Sequence, residues 1–578
     1  MIEKVELLKS RDGYNVLGIV KDKKKFHIGN LYNEKREVET FFNAIGDIVK
    51  GQNYIVFGLG YLNHIEALLE RKHSDNKVLV IECSREIIDF VGHSPDDKAK
   101  LILSNKDLLV TSSTDEVKLF LQKYINSSNS KKLKVLPYSG YARYFSQEIE
   151  PFYKLVRDHC NYHAINNHTA SFFEDDWYHN SIRNLSFLNE TRTIYAYQNA
   201  FIDRPAIIVS AGPSLDKNIG ILSEQRDAVI ISGGRTLKSL LNIGVDPDFL
   251  VIMDSGMPSY DLVKDYLGST KAKLLYYFGV PTEILSGHQG EKITWHQDAL
   301  IGELLQEPLS HMGKGGSVAH AMTALAIELG CNPIIFIGQD LAFTNNRGHS
   351  EVADSPWRNG DVTMTPLEID QSFYVDDIYG GKVKTSIQWD LYKRQLEKII
   401  EESNGRRFIN CTEGGVSIKG SEIATLKEVY SNLGVEKPRI AINHSSRKAI
   451  DVVSLLRANK RAMIKCVALY TKAAMINEKF IRIVSKSSFD TRVVEKELSK
   501  VEKKILYNNH KVLFMSSMIN KTLEVLNTVA EFDILASDRE NEALLKNLTK
   551  SRYLYTAMRD KLSDNLRLVE DEIQRLSE

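Results

Sequence analysis

The sequence predicts a multidomain α/β protein with a doubly wound parallel sheet at its centre and a helical bundle at its C-terminal end. Three observations carry this. Short apolar runs alternate with helical stretches between residues 201 and 430, polar glycine-bearing turns close those runs, and a helical tract without proline follows Pro438. At 578 residues the chain exceeds one ordinary core, and the composition shifts place three domains at 1–165, 166–435 and 436–578.

Bulk properties narrow the function. Lysine plus arginine equals aspartate plus glutamate at 75 each, which removes the electrostatic argument for a general nucleic-acid binder. Five scattered cysteines without CxxC spacing suggest neither a disulfide framework nor a zinc site, and a reducing cytoplasm suits them. No apolar run approaches the roughly 18 residues of a spanning helix, and MIEKVELLKSRDGYN lacks an export signal, so a cytoplasmic protein without membrane association is expected.

In the first domain, NYIVFGLG (Asn53 to Gly60), YLNHIEALLER and KVLVIECS (Lys77 to Ser84) read as strand, helix and strand, a Rossmann-like opening. Gly58 and Gly60 stand where a phosphate turn would be, and Glu82 where an acid would bind a ribose. The third glycine position is Asn63. That gap favours the simpler reading, in which the glycines only permit a sharp turn and Glu82 is a solvated strand-end residue. The aromatic and asparagine-rich stretch around Phe172, Phe173, Trp177, Tyr178, Asn180 and Asn184 is expected to pack across the next domain.

The central domain is the most regular. Strands are expected at Ala206 to Val209, Ala228 to Ser232, Phe249 to Asp254, Leu274 to Gly279 and Ile334 to Gly338. Their carboxyl ends carry Ser210-Ala211-Gly212, Ser232-Gly233-Gly234-Arg235, Asp254-Ser255-Gly256 and Gly338-Gln339-Asp340, which a doubly wound sheet gathers at one rim, where ligands bind. Pro213 and Ser214 open an amphipathic helix whose amides would face a phosphate. Gly313, Gly315 and Gly316 let backbone approach a ligand, and Ser317 is placed as a helix cap or a ligand contact. His349 lies among turn formers, and its ordinary pKa of about 6.5 suits removal of a hydroxyl proton near neutral pH. Arg235 and Lys314 follow glycine turns and could hold a leaving phosphate. Asp254 lacks the second acid of an Asp-x-Asp metal motif, so it reads as a hydrogen-bonding partner for a sugar or a turn amide. Asp376 to Gly381 reads as a hairpin turn. In the last domain, Ile519, Leu523, Leu526 and Val529 recur at helical spacing among interleaved acids and bases, the pattern of three to four packed helices.

The segments SAGPSL, SGGRTLKSLLNIGVDPDFLVIMDSG, GKGGSVAHAMTALAIELGCNPIIFIGQDLAF and FINCTEGGVSIKG together resemble the central domain of the motility-associated factor glycosyltransferases of flagellin. That domain in turn resembles bacterial sialyltransferases of the GT-A-like type, whose Gly-Pro-Ser turn matches Gly212-Pro213-Ser214 and whose Gly-His-Ser matches Gly348-His349-Ser350. Ala211 stands where those enzymes have asparagine, and no tyrosine lies near Ala319 to Ala321 to hold the leaving phosphate. The resemblance implies inverting transfer of a nonulosonic acid, such as legionaminic or pseudaminic acid, from its CMP ester to a Ser or Thr of flagellin, with His349 as general base and no cofactor. Asp340 joins His349 as a catalytic candidate. Ser210, Gly212, Pro213, Ser214, Ser232, Gly233, Arg235, Asp254, Ser255, Gly315, Gly316 and Ser317 are the donor-binding candidates, and no metal is required for a monophosphate leaving group. Two alternatives compete: a hydroxymethylpterin diphosphokinase, which would need ATP and magnesium at Asp254 and Asp340, and a nonenzymatic flagellin-binding scaffold.

Overall fold

The computed structural model describes residues 2–224, 226–295, 299–306, 315–353, 364, 366–434, 448–486 and 491–578. Gly313, Lys314 and Pro438 lie outside them. The chain forms two compact units, one of residues 1–172, 465–509 and 519–563, the other of 173–464, 510–518 and 564–578. Among the described residues no helix is long and apolar enough to cross a membrane.

The first unit holds an antiparallel sheet of Ile2–Lys9, Asn15–Lys21 and Lys24–Ile28 and a parallel sheet. The parallel sheet runs Leu108–Thr111, Val78–Ile81, Tyr54–Phe57, Lys134–Pro137 across its width. In chain order that is 3-2-1-4, the opening of a doubly wound sheet. Its two central strands are buried at every position, the pattern of a parallel sheet covered on both faces.

Glu82 is not the solvated strand-end residue that its sequence position suggests. The side chain is fully buried and accepts hydrogen bonds from Leu59 N at 3.0 Å, Ser84 N at 3.1 Å and Tyr141 Oη at 2.7 Å. A Cβ on Gly58 would come within 2.7 Å of the Tyr141 ring, so the chain's own aromatics fill the space above the glycine turn. Burial pushes the Glu82 carboxyl up to about 7, against the pull of its three donors. Between its ordinary value near 4.5 and about 7 the folded chain keeps a proton that the unfolded chain has released, so stability falls as pH rises across that window. Chemical denaturation at pH 5 and pH 8 is expected to show a loss of order 1–3 kcal/mol beyond that of Glu82→Gln, and equal losses would contradict the assignment.

The second unit is built on nine strands that pair in parallel throughout. Their order is Glu422–Ile423, Phe408–Asn410, Ile334–Ile337, Ala206–Val209, Val229–Gly233, Phe249–Ile252, Lys273–Tyr277, Lys292–Trp295 and Thr191–Thr193. Alternate residues feed two cores: Ala206, Ile208, Ile334 and Phe336 pack on one face, Ile207, Val209, Ile335 and Ile337 on the other. From Ala206–Val209 the chain steps strand by strand to Lys292–Trp295, then returns through the helix Val318–Glu328 to place Ile334–Ile337 on the opposite side of Ala206–Val209. The topological switch point therefore lies between those two strands.

All five expected central strands are present. The expected amphipathic helix after Pro213 is shorter than its pattern suggests: Leu215–Asn218 makes one α-helical turn, and Ile219–Ser223 continues as a tighter 3₁₀ turn. Asp376 to Gly381 does form the turn of a hairpin, joining Phe373–Asp376 to Lys382–Thr385. The helices after residue 450 are Val452–Val484, Thr491–Asn509, Asn520–Thr528 and Glu540–Ser577.

Candidate functional site

At the switch point the turns after four neighbouring strands meet around a cavity of about 230 Å³. The closeness of their backbones explains two of the glycines. Gly338 has φ +61°, and a Cβ there would stand 2.1 Å from the Ser210 carbonyl oxygen. A Cβ on Gly212 would stand 2.3 Å from Asp340 Oδ1 and 2.4 Å from the Gly338 carbonyl oxygen.

Asp340 fastens this crossing. It is 1% exposed and accepts Ser214 Oγ at 2.6 Å, Ser214 N at 3.2 Å and Thr344 Oγ1 at 2.6 Å. Burial raises its pKa while these donors oppose the rise. The Gly212 amide donates to the Gly338 carbonyl at 2.7 Å. The turn amides of Gly212 and Ser214, expected to face a phosphate, are thus engaged within the protein, and Pro213 has none.

His349 and Arg235 supply the polar chemistry. Arg235 Nη1 lies 3.0 Å from His349 Nε2. A guanidinium only donates, so Nε2 is the accepting nitrogen and the imidazole is neutral with its proton on Nδ1. The loop carrying His349 is held by Asp216, which accepts Arg347 Nη1 at 3.0 Å, Glu351 N at 3.1 Å and the Ser350 hydroxyl. Ser350 N also donates to the Ala211 carbonyl at 3.0 Å, tying this loop to the first turn.

Asp254 lines the cavity and is exposed. Desolvation raises its pKa, and the Arg235 charge pulls it back.

The apolar wall comes from residues that sequence reasoning did not single out as site residues. Trp389 and Tyr392 project from the helix Ile387–Glu402 beside Met253, Leu262 and Met322. The His349 ring stands edge-on to Trp389 with centroids 6.3 Å apart. Gln388 Nε2 donates to the Tyr392 hydroxyl at 2.7 Å. Trp389 and Tyr392 lie some forty residues beyond His349 and carry no motif, so only the fold assembles them.

Of the expected donor-binding residues, Ser210, Gly212, Gly233, Arg235, Asp254 and Ser317 line the cavity, as do Asp340 and His349. Ser232 is buried and bonds Thr236 Oγ1 at 2.9 Å, and Ser255 is buried with its carbonyl held by Asn180 Nδ2 at 3.1 Å, so neither reaches the lining. Nor do Pro213, Ser214, Gly315 and Gly316. A Cβ on Gly315 would fall 2.4 Å from the His320 ring, and one on Gly316 would fall 2.9 Å from the Tyr392 ring. Those glycines make room for the protein's own rings. Ser317 caps the helix Val318–Glu328 with His320 as its partner: His320 Nδ1 accepts Ser317 N at 3.2 Å, and Nε2 donates to the Tyr392 carbonyl at 2.8 Å. Burial pushes the His320 pKa down to about 4, which keeps that tautomer neutral.

Across 99% of its length the chain superposes on 92% of a MAf glycosyltransferase from Magnetospirillum magneticum AMB-1, with a TM-score of 0.50 at 16% identity. The two proteins are similar in fold. Residues 179–346 match the family described as 6-hydroxymethylpterin diphosphokinase MptE-like. A stretch of 255 residues is 23% identical to an uncharacterized protein of Treponema pallidum (strain Nichols), covering 43% of this chain and 42% of that protein's length.

Proposed function

We propose that this protein is a glycosyltransferase that moves a nonulosonic acid from its CMP ester to a Ser or Thr hydroxyl of flagellin. The observation that carries the reading is the pairing of a neutral imidazole with a guanidinium at the sheet's switch point, a base beside an anion holder. The full-length fold likeness to a MAf glycosyltransferase supports it. In this reading Arg235 turns to the donor phosphate and leaves His349 Nε2 open to the acceptor hydroxyl. The hydroxyl oxygen bonds to C2 of the sugar, its proton passes to Nε2, and the C2–O bond to phosphate breaks with its electron pair leaving on CMP. Asp254 accepts sugar hydroxyls, Trp389 and Tyr392 shield the reacting carbon from water, and Asp340 positions the turns without touching substrate.

The family match over 179–346 favours a second reading, a pterin diphosphokinase. That chemistry calls for a further pocket carboxylate beside Asp254. Asp340 lines the pocket but is 1% exposed, and its oxygens accept the Ser214 and Thr344 hydroxyls, so a magnesium ion there would compete with the contacts that fasten the turns.

Calorimetry separates the two. The transferase reading expects CMP to bind in the cavity and Arg235→Gln to weaken it about tenfold to a hundredfold, the loss of a charge-assisted hydrogen bond. Tight binding of magnesium ATP with no heat from CMP would favour the diphosphokinase.

A further inference from the structure

Far in sequence from the residues that line the cavity, the helix Ser146–Phe172 carries His159 and His163 one turn apart, on one face. Their Nε2 atoms are 3.2 Å from each other. His159 Nε2 is also 3.0 Å from the carbonyl oxygen of Ile125, the residue that ends the helix Thr114–Tyr124. The Ser127 hydroxyl meets His163 Nδ1 at 3.3 Å, and Asn167 Nδ2 holds the Ser127 carbonyl at 2.8 Å.

We propose that His159, His163 and the Ile125 carbonyl form a binding site for a late first-row divalent cation, with Zn²⁺ as the representative ion. Two imidazole nitrogens bound to one ion at about 2.0–2.1 Å, at angles between 90° and tetrahedral, stand roughly 2.8–3.4 Å apart. The observed 3.2 Å falls inside that interval, and the carbonyl oxygen lies at the matching distance from one of them. Both rings turn the same atom, Nε2, toward the shared point, and only one proton fits between them. Ser127 supplies the outer contact on Nδ1 that orients a ligating imidazole.

The donor set selects the metal class. Imidazole nitrogen suits Zn²⁺, Ni²⁺ and Cu²⁺, whereas Mg²⁺ and Ca²⁺ want oxygen, of which this site offers one. Among the described residues no three His, Cys, Asp or Glu side chains stand together, so water completes the coordination and the site binds less tightly than a four-ligand structural zinc. Occupancy would pin the helix Ser146–Phe172 to the turn after Thr114–Tyr124 and stabilise that unit by mass action.

The test uses tag-free, chelator-treated full-length protein titrated with ZnCl₂, followed by calorimetry and thermal melting. One saturable site and a higher melting temperature are expected, with binding weakened at least about tenfold in His163→Gln and in His159→Gln. The glutamine amides keep hydrogen-bonding capacity, so the metal-free melting temperatures of both variants should match the wild type. MgCl₂ should leave the melt unchanged. Absence of Zn²⁺ binding, or equal binding by the wild type and both variants, would overturn the site and leave the pair as a hydrogen bond.

Discussion

His349→Ala is expected to lower transfer to an acceptor hydroxyl by about 10²–10⁴-fold, the usual contribution of a general base, while CMP affinity changes only a few-fold. The asymmetry follows from the geometry. Arg235 donates to His349 Nε2, so the guanidinium and not the imidazole is placed to hold the phosphate, and removing the imidazole leaves that donor contact in place. The loop itself should survive the change, because Asp216 and the Ala211 carbonyl hold it through Arg347, Ser350 and Glu351. Initial rates with saturating donor, read together with CMP calorimetry, check the pair of outcomes. Equal losses in rate and in CMP affinity would place His349 in donor binding.

The second large effect is structural. Gly338→Ala is expected to destabilise the second unit by about 3 kcal/mol or more, because a left-handed alanine and a backbone collision coincide. Its φ is +61°, and the new Cβ would meet the Ser210 carbonyl oxygen at 2.1 Å and Leu215 Cβ at 3.0 Å. Both neighbours belong to the crossing that Asp340 fastens, so relief requires opening the switch point. Gly380 provides the control. It has φ +82° with nothing within 4 Å of its Cβ, so Gly380→Ala should cost only about 1 kcal/mol. Urea denaturation of the two variants measures the difference, and similar midpoints would refute the crowding argument.

The strands that build the site were legible because each is a continuous apolar run closed by a glycine-bearing polar turn. Ala206–Val209 and Ile334–Ile337 are the plainest cases, and placing their ends at one rim identified Arg235, Asp254, Asp340 and His349 as pocket residues. The outer strands Thr191–Thr193, Phe408–Asn410 and Glu422–Ile423 are too short and too polar to stand out from loops. Local pattern misled where the partner is distant. Gly315 and Gly316 look like a ligand cradle, yet they make room for His320 and for Tyr392, which lies over seventy residues away. Glu82 looks like a solvated acid, and only Tyr141 and the Leu59 amide, brought in by the fold, reveal it as a buried one. The run Leu215, Ile219, Leu222 has helical spacing, but it winds as one α-helical turn and a 3₁₀ turn, with Asn218 anchored to the Cys411 carbonyl at 2.9 Å.

The most direct test of the proposed reaction is the intact mass of flagellin coexpressed with a CMP-nonulosonic acid pathway and either the wild-type protein or His349→Ala. Increments of one nonulosonic acid residue with the wild type, absent with the variant, are the expected result. Unmodified flagellin in both, with donor present in the cells, would contradict a transferase acting on that protein through this pocket.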